Sequence, residues 1–463
     1  MRRLARLAAR TPADRERYLD LLRALAIIMV VLGHWAVATI GYDEHGQPDG
    51  HSALPAIPWA LPLTWAVQVM PVFFLVGGYA NAASLAAHRS RGGDATGWLL
   101  GRSARLLRPT SALVLALVGS ALVARLVGAE PHMVRTVVWF ATIPLWFLAA
   151  YLVVVPLTPL TYALHRRFGL AVPIALALLV AAGDLGRATG HETAALPNYL
   201  LGWLAVHQVG FAWYDARRGH CDPSGNGTAR PRRAHRWTRC LPMSRRAALV
   251  LTVTGLGVAV LLTGPGPYPI SMINIPGQRL DNAAPPSIAL LAVATAQLGL
   301  ILLLRERAER WLHRSRPWQA VIAVNSVVLT VFLWHLSAVI LLVGALDRLG
   351  LLPTPSAGSA AWLAWRLPWV LLLTVVLAAL VAVFGPIEAR TGRSTPTDGR
   401  PTSRWVGVTA VAAFGAVGYA LVANSATAKT APEPLGLPVA ALVAYLAGAG
   451  VLRLLRSGWG SRG

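Results

Sequence analysis

Twelve apolar runs, most of them about 17 to 22 residues long and therefore able to cross a bilayer core of roughly 30 Å, leave this chain very few ways to fold. They fall near residues 22–41, 59–81, 111–128, 136–156, 169–184, 197–213, 247–263, 286–304, 319–345, 368–388, 405–423 and 436–452. With 55% hydrophobic and 13% charged residues, the 463-residue chain reads as an all-α, polytopic integral membrane helix bundle of about 12 transmembrane helices. In lipid only helices or closed barrels satisfy the backbone, and runs of this length are helical. No connection exceeds about 35 residues, so no soluble catalytic module is expected.

Charge then orients the bundle. Arginines collect on alternate connections: Arg89, Arg91, Arg102, Arg105 and Arg108; Arg166 and Arg167; nine between Arg217 and Arg246; Arg305 to Arg316; and Arg390 to Arg404. The intervening connections carry only isolated cations, namely Arg135, Arg187, Arg279, Arg348, Arg366 and Lys429. The positive-inside rule places both termini in the cytoplasm of a multi-pass plasma-membrane protein. The formal charge of +23 is thereby assigned to orientation, and no nucleic-acid partner is expected. A basic amino terminus with Ala36-Val37-Ala38 imitates a signal peptide, but the eleven later spans favour an uncleaved first one. Residues 214–246, rich in Arg, Gly, Pro and Ser, read as a cytoplasmic linker. Cys221 and Cys240 both lie in it, so a disulfide is not expected, and their spacing with His220 and His235 matches no common zinc pattern. No metal is expected.

Four stretches hold residues that can do chemistry. In the first span Arg23 and His34 are eleven residues apart, about three turns and roughly 16 Å, on one helix face. Arg23 then lies near the cytoplasmic surface and His34 near mid-membrane. Asp20 is placed to hold Arg23 as an i, i+3 pair. An imidazole in an apolar span either serves function or satisfies a packing hydrogen bond. In the second span, Met70 to Asn81 includes Gly77-Gly78, which permit close helix approach or irregular backbone, and the polar Tyr79 and Asn81, which need partners at that depth. Before the third span, Arg102, Arg105 and Arg108 recur on one side of a helix. They suit phosphate, or equally orientation and anionic lipid. Trp334-His335 in the ninth span adds a second intramembrane histidine, with Asn325 ten residues earlier.

Arg23 and His34 separated by ten residues, with Pro71-Val72-Phe73-Phe74-Leu75 and Gly77-Gly78-Tyr79, resemble the opening motifs of membrane acyltransferase family 3, the integral-membrane O-acyltransferases. Arg105-Leu106-Leu107-Arg108-Pro109 is similar to that family's paired-arginine motif, and Leu145-Trp146-Phe147-Leu148 and Trp334-His335 fit its later spans more loosely. Val76-Gly77 stands where serine-glycine is commoner, so no role of that serine carries over. The resemblance covers residues 15–390, a ten-helix core following a basic cytoplasmic terminus at 1–14. Residues 391–463 add two further helices and a tail.

That resemblance implies transfer of an acyl group, often acetyl, from cytoplasmic acyl-CoA to a hydroxyl of a cell-surface glycan, glycolipid or glycosylated metabolite. Acyl-CoA is then a co-substrate, with acetyl-CoA the first candidate, and no cofactor is permanently bound. Arg23, Arg105 and Arg108 become the acyl-CoA-binding residues and His34 the catalytic one, as general base or as nucleophile. Asp20, Tyr79, Asn81 and His335 become supporting cavity residues. Membrane lipid and the acceptor glycan are the remaining expected partners. The rival layout is a twelve-span secondary transporter of major-facilitator type with His34 coupling protons. The charged glycine-rich motif usual between the second and third spans of such carriers has no convincing counterpart here.

Overall fold

The computed structural model describes residues 8, 11–12, 15–44, 46–218, 240–275, 278, 280–389, 403–429 and 431–458. Fourteen helices of eleven residues or more account for most of it. They are α1 (Arg17–Val37), α2 (Met70–Arg89), α3 (Ala95–Leu126), α4 (Pro131–Thr142), α5 (Leu145–Phe168), α6 (Ala171–Ala188) and α7 (Asn198–Arg217). Then follow α8 (Arg245–Thr263), α9 (Ile288–Leu312), α10 (Ser315–Asn325), α11 (Val328–Arg348), α12 (Ala360–Ala389), α13 (Arg404–Ala426) and α14 (Val439–Arg456). Among the described residues, eleven helical segments are long and apolar enough to cross a membrane, making this a multi-pass helical membrane protein. The span expected at 197–213 is the helix α7, which falls outside those eleven because Asn198, His207, Gln208 and Asp215 dilute its apolar character; all four are buried in protein.

Several boundaries differ from the sequence reading, each for a local reason. The expected 136–156 span is two helices, α4 and α5, interrupted at Ile143-Pro144, where proline supplies no N–H and restricts the residue before it. The expected 319–345 span breaks between α10 and α11 at Ser326-Val327. The arginine row does not precede a span starting at 111. It lies within α3, which starts where the Asp94 carboxylate accepts the Gly97 N–H at 2.7 Å. After α1 the chain makes an antiparallel hairpin, β1 (Ala38–Tyr42) with β2 (Pro48–Ser52), pairing Ala38 with Ser52 and Tyr42 with Pro48. Its turn closes on Gly46, whose φ of 70° suits glycine.

The linker expected at 214–246 lies for most of its length, 219–239, outside the described residues, as does Cys221. Cys240 is disulfide-bonded, which corrects the expectation of reduced thiols; that expectation rested on compartment alone and not on geometry.

The chain divides into two compact units, and the division falls inside α1, α2, α5 and α10. Unit one takes Met1–Val30, Ile57–Ala87 and Leu157–Ala323. Its helices pack by backbone approach. A Cβ on Gly78 would sit 2.0 Å from the His207 carbonyl oxygen, and one on Gly210 would sit 2.2 Å from that of Leu75, so α2 and α7 touch main chain to main chain. Of the two readings of Gly77-Gly78, close packing inside the continuous helix α2 is the one found. α8 and α9 cross in the same way at Gly255 and Gly299. Unit two takes Val31–Ala56, His88–Pro156 and Val324–Gly463. There α13 and α14 pair closely, and both lie against α3.

Candidate functional site

His34 stands three residues before the end of α1, not mid-span as expected, because the helix stops at Val37 and the chain turns into the hairpin. Its side chain is exposed. Behind it, within unit two, lies His335 of α11, 0% exposed, with ring centroids 5.0 Å apart and His335 Nε2 3.3 Å from His34 Nδ1.

The hydrogens of this pair follow from its surroundings. His335 Nδ1 is 2.6 Å from the Phe332 carbonyl oxygen, which only accepts, so Nδ1 carries the hydrogen. A neutral His335 ring then offers the Nε2 lone pair, and His34 Nδ1 is the donor to it. The His34 lone pair is left on Nε2, at the edge turned away from His335. This arrangement makes a base of one defined nitrogen. It parallels the orienting logic of hydrolytic triads, with an imidazole where those use a carboxylate.

The pair is held rigidly. Trp35 Nε1 donates to the His335 carbonyl at 3.1 Å, locking α1 to α11 one residue beyond His34. Carbonyls at the end of α1 that have no helical partner are met from outside it, that of Val37 by the Ala53 N–H and its neighbours by α12. Trp369 Nε1 donates to the Trp35 carbonyl at 3.1 Å, and Arg366 Nη1 donates to the Ala38 carbonyl at 2.7 Å. A guanidinium at a helix carboxyl end is also favoured by the helix dipole. Arg366 lies 4.3 Å from the centroid of the Trp362 ring, and Trp362 Nε1 donates to Thr39 Oγ1 of the hairpin. At the other end of α11, Glu388 accepts from the Leu329 and Thr330 N–H groups and from the Thr330 hydroxyl, capping the helix that carries His335. Phe332 is backed edge-on by Phe147, from the Leu145-Trp146-Phe147-Leu148 stretch.

At the start of α1, in unit one, Asp20 lies beside Arg23 at 3.7 Å as expected, but its principal partner is Arg15, which donates to both carboxylate oxygens at 2.7 and 3.0 Å. That pairing holds the Arg15 guanidinium above its ordinary pKa. Arg23 keeps 34% of its side chain exposed. One residue before α1, Glu16 takes Arg217 at 2.6 Å and Arg305 at 2.8 Å. Arginines here are matched with buried acids.

Tyr79 and Asn81 are built into unit one. Tyr79 sets its ring edge-on to Trp213 and Tyr214. Asn81 is 0% exposed, with Nδ2 3.1 Å from His207 Nε2 and 3.5 Å from Thr158 Oγ1. The Asn81 contacts supply the partners that a polar group at such depth requires. On α3, in unit two, Arg105 and Arg108 are exposed, while Ser103, Ala104 and Leu107 on the opposite side are buried. Arg102 lies over the Trp98 ring, 5.5 Å from its centroid.

Sequence reasoning flagged both histidines but could not pair them, because 301 residues separate them. It missed Arg366, Trp369 and Glu388. A detectable signal existed for the first two: a single arginine flanked by Trp362 and Trp369 at helical spacing, on a connection otherwise poor in cations.

The sequence model of the acyltransferase domain of acyltransferase family 3 matches residues 16–387. No curated protein and no solved structure matches the chain.

Proposed function

This chain belongs to acyltransferase family 3 and is a membrane acyltransferase, and from that premise we propose that it moves an acyl group, acetyl in the first place, from cytoplasmic acyl-CoA to a hydroxyl of a glycan, glycolipid or glycosylated metabolite. The observation that carries this reading is the exposed His34 imidazole backed by the buried His335, with His335 Nε2 3.3 Å from His34 Nδ1. In the reaction His34 Nε2 takes the proton of the acceptor hydroxyl as its oxygen attacks the thioester carbonyl. A carbon–oxygen bond forms, the carbon–sulfur bond breaks, and the proton passes to the departing thiolate. His335 Nε2 accepts from His34 Nδ1–H throughout, which favours the imidazolium formed in transit. Arg23, Arg105 and Arg108 are proposed to hold the phosphates of CoA, with Asp20 positioning Arg23. Both termini are proposed to face the cytoplasm of the plasma membrane, on the arginine distribution. The carrier reading is not favoured, because the sequence model that residues 16–387 match is that of an acyltransferase domain.

The test is purified protein in lipid vesicles with radiolabelled acetyl-CoA and glycan acceptors, comparing label transfer by the parent and by His34→Ala. His335 is a positioning residue in this scheme. His335→Ala is expected to lower kcat about a hundredfold with KM for acyl-CoA nearly unchanged, while His335→Gln, whose amide oxygen accepts the same hydrogen, recovers part of the loss. Equal rates for the two variants would show that the acceptor at this position is irrelevant. Arg105→Gln and Arg108→Gln are expected to raise KM for acyl-CoA about tenfold each, the effect of a charge-assisted hydrogen bond, at little cost in kcat. Unchanged KM values would reduce both arginines to orientation of the chain.

A further inference from the structure

Unit one holds a cavity of about 340 Å³ among α2, α6, α7, α8 and α9, and every residue lining it belongs to that unit. We propose that this cavity binds a membrane-resident molecule made of a hydrocarbon body and a hydroxyl group, the hydroxyl donating to the side-chain oxygen of Gln297. The proposal stands apart from the acyl-transfer reading and takes nothing from it.

The length of the cavity follows from α9. Leu291, Ala294, Leu298 and Ile301 line it and recur at three- and four-residue steps, so they form one face of the helix over about 15 Å. That extent suits a chain lying along the helix. Ile174 of α6 also lines the cavity while staying 60% exposed, so the cavity opens on the flank of α6, a helix long and apolar enough to cross a membrane. Among the described residues, no charged side chain lines it. The volume lies within the range of small-molecule sites, about 300–1,000 Å³, and such sites are mostly apolar with a few placed polar groups.

Gln297 is the placed polar group. Its Nε2 donates to the Trp65 and Gln68 carbonyls at 2.8 and 2.9 Å. Both carbonyls only accept, so the amide has this orientation and Oε1 is the atom left over. Oε1 is buried and, among the described residues, has no hydrogen-bond partner. An acceptor left in that condition on a membrane-spanning helix is costly. Phospholipid chains carry no donor and do not relieve it. Water is a poor substitute, because it needs about two to four polar partners and apolar cavities stay dry. The other polar side chain of the lining, Thr295, already donates its hydroxyl hydrogen to the Leu291 carbonyl at 2.8 Å. An ammonium group would find no carboxylate, and an amide would bring a carbonyl for which the lining has no free donor. A hydroxyl on a hydrocarbon body satisfies Oε1 and adds the least polar surface.

The experiment photolabels the full chain in phosphatidylcholine nanodiscs with a diazirine-bearing long-chain alcohol and, separately, with its methyl ether, which lacks only the donor. Labelled peptides from α7 and α9 are quantified by mass spectrometry. The alcohol is expected to label them about tenfold more than the ether at equal concentration, the difference made by one donor to a buried acceptor. Gln297→Leu should bring the alcohol down to the level of the ether. Because that variant also frees the Trp65 and Gln68 carbonyls, Ala177→Phe on α6 is tested beside it. Ala177 lines the cavity and is half-buried, so a ring there fills space without changing polarity, and alcohol labelling should again fall to the level of the ether. Equal labelling of the parent by alcohol and ether overturns the proposal, and so does undiminished labelling of a folded Ala177→Phe. The parent comparison needs no variant and holds whether or not Gln297→Leu folds.

Discussion

Replacing His34 with alanine should lower the acyl-transfer rate about 10²- to 10⁴-fold, the range expected when a positioned general base is removed. The loss should appear in kcat, with KM for acyl-CoA nearly unmoved, because the imidazole acts on the acceptor hydroxyl and not on the donor's phosphates. The protein should remain folded. His34 is exposed, lies in the last turn of α1, and leaves behind a His335 still bonded to the Phe332 carbonyl. Turnover in vesicles and a thermal unfolding curve on the same preparation separate the two effects. A rate within a few-fold of the parent would remove this imidazole from the chemistry.

The second large effect is on folding. Substituting Gly78 by alanine places a methyl group 2.0 Å from the His207 carbonyl oxygen, where ordinary contact needs about 3.4 Å. Alanine gains about 1 kcal/mol over glycine in a helix interior. Separating two packed helices costs about 1–3 kcal/mol and occasionally more, so the clash outweighs the propensity gain. Valine, with two further methyl groups, should abolish recovery of folded protein. Gly119 on α3 is the internal comparison, since a Cβ there meets nothing within 4 Å. Gly119→Ala should hold or raise the thermal midpoint while Gly78→Ala lowers it by several degrees. A Gly78→Ala midpoint equal to the parent would mean that α2 and α7 yield more easily than their backbone contact implies.

What could be read from the chain beforehand was whatever local pattern encodes. Apolar length dictates membrane helices, and the Arg23-to-His34 spacing with the later motifs points to the family that the match at 16–387 shows. Tertiary pairing was not legible. Nothing local links His34 to His335, or Arg366 to the end of α1, because those contacts join segments some 300 residues apart. Helix breaks were legible in part. Pro144 ends a run that hydropathy alone continues, whereas Pro109 sits inside α3 without ending it. Composition says little about which proline wins, since neighbouring helices decide whether the freed carbonyl is tolerated. The hairpin at Ala38–Ser52 escaped notice because β1, Ala-Thr-Ile-Gly-Tyr, continues the apolar run of the first span, while β2, Pro-Asp-Gly-His-Ser, consists of turn-type residues without alternation.

The seat of α14 on α3 bears on how this enzyme can be handled. A fragment trimmed to the residues shared by the family would strip cover from Ser103, Ser111 and the apolar face around them. Hydroxyls now buried in protein would turn toward hydrocarbon. Such a fragment would not be a minimal catalyst. It would be a wounded membrane protein, prone to stick to its neighbours through the bared flank, and any inactivity it showed would say nothing about where catalysis resides.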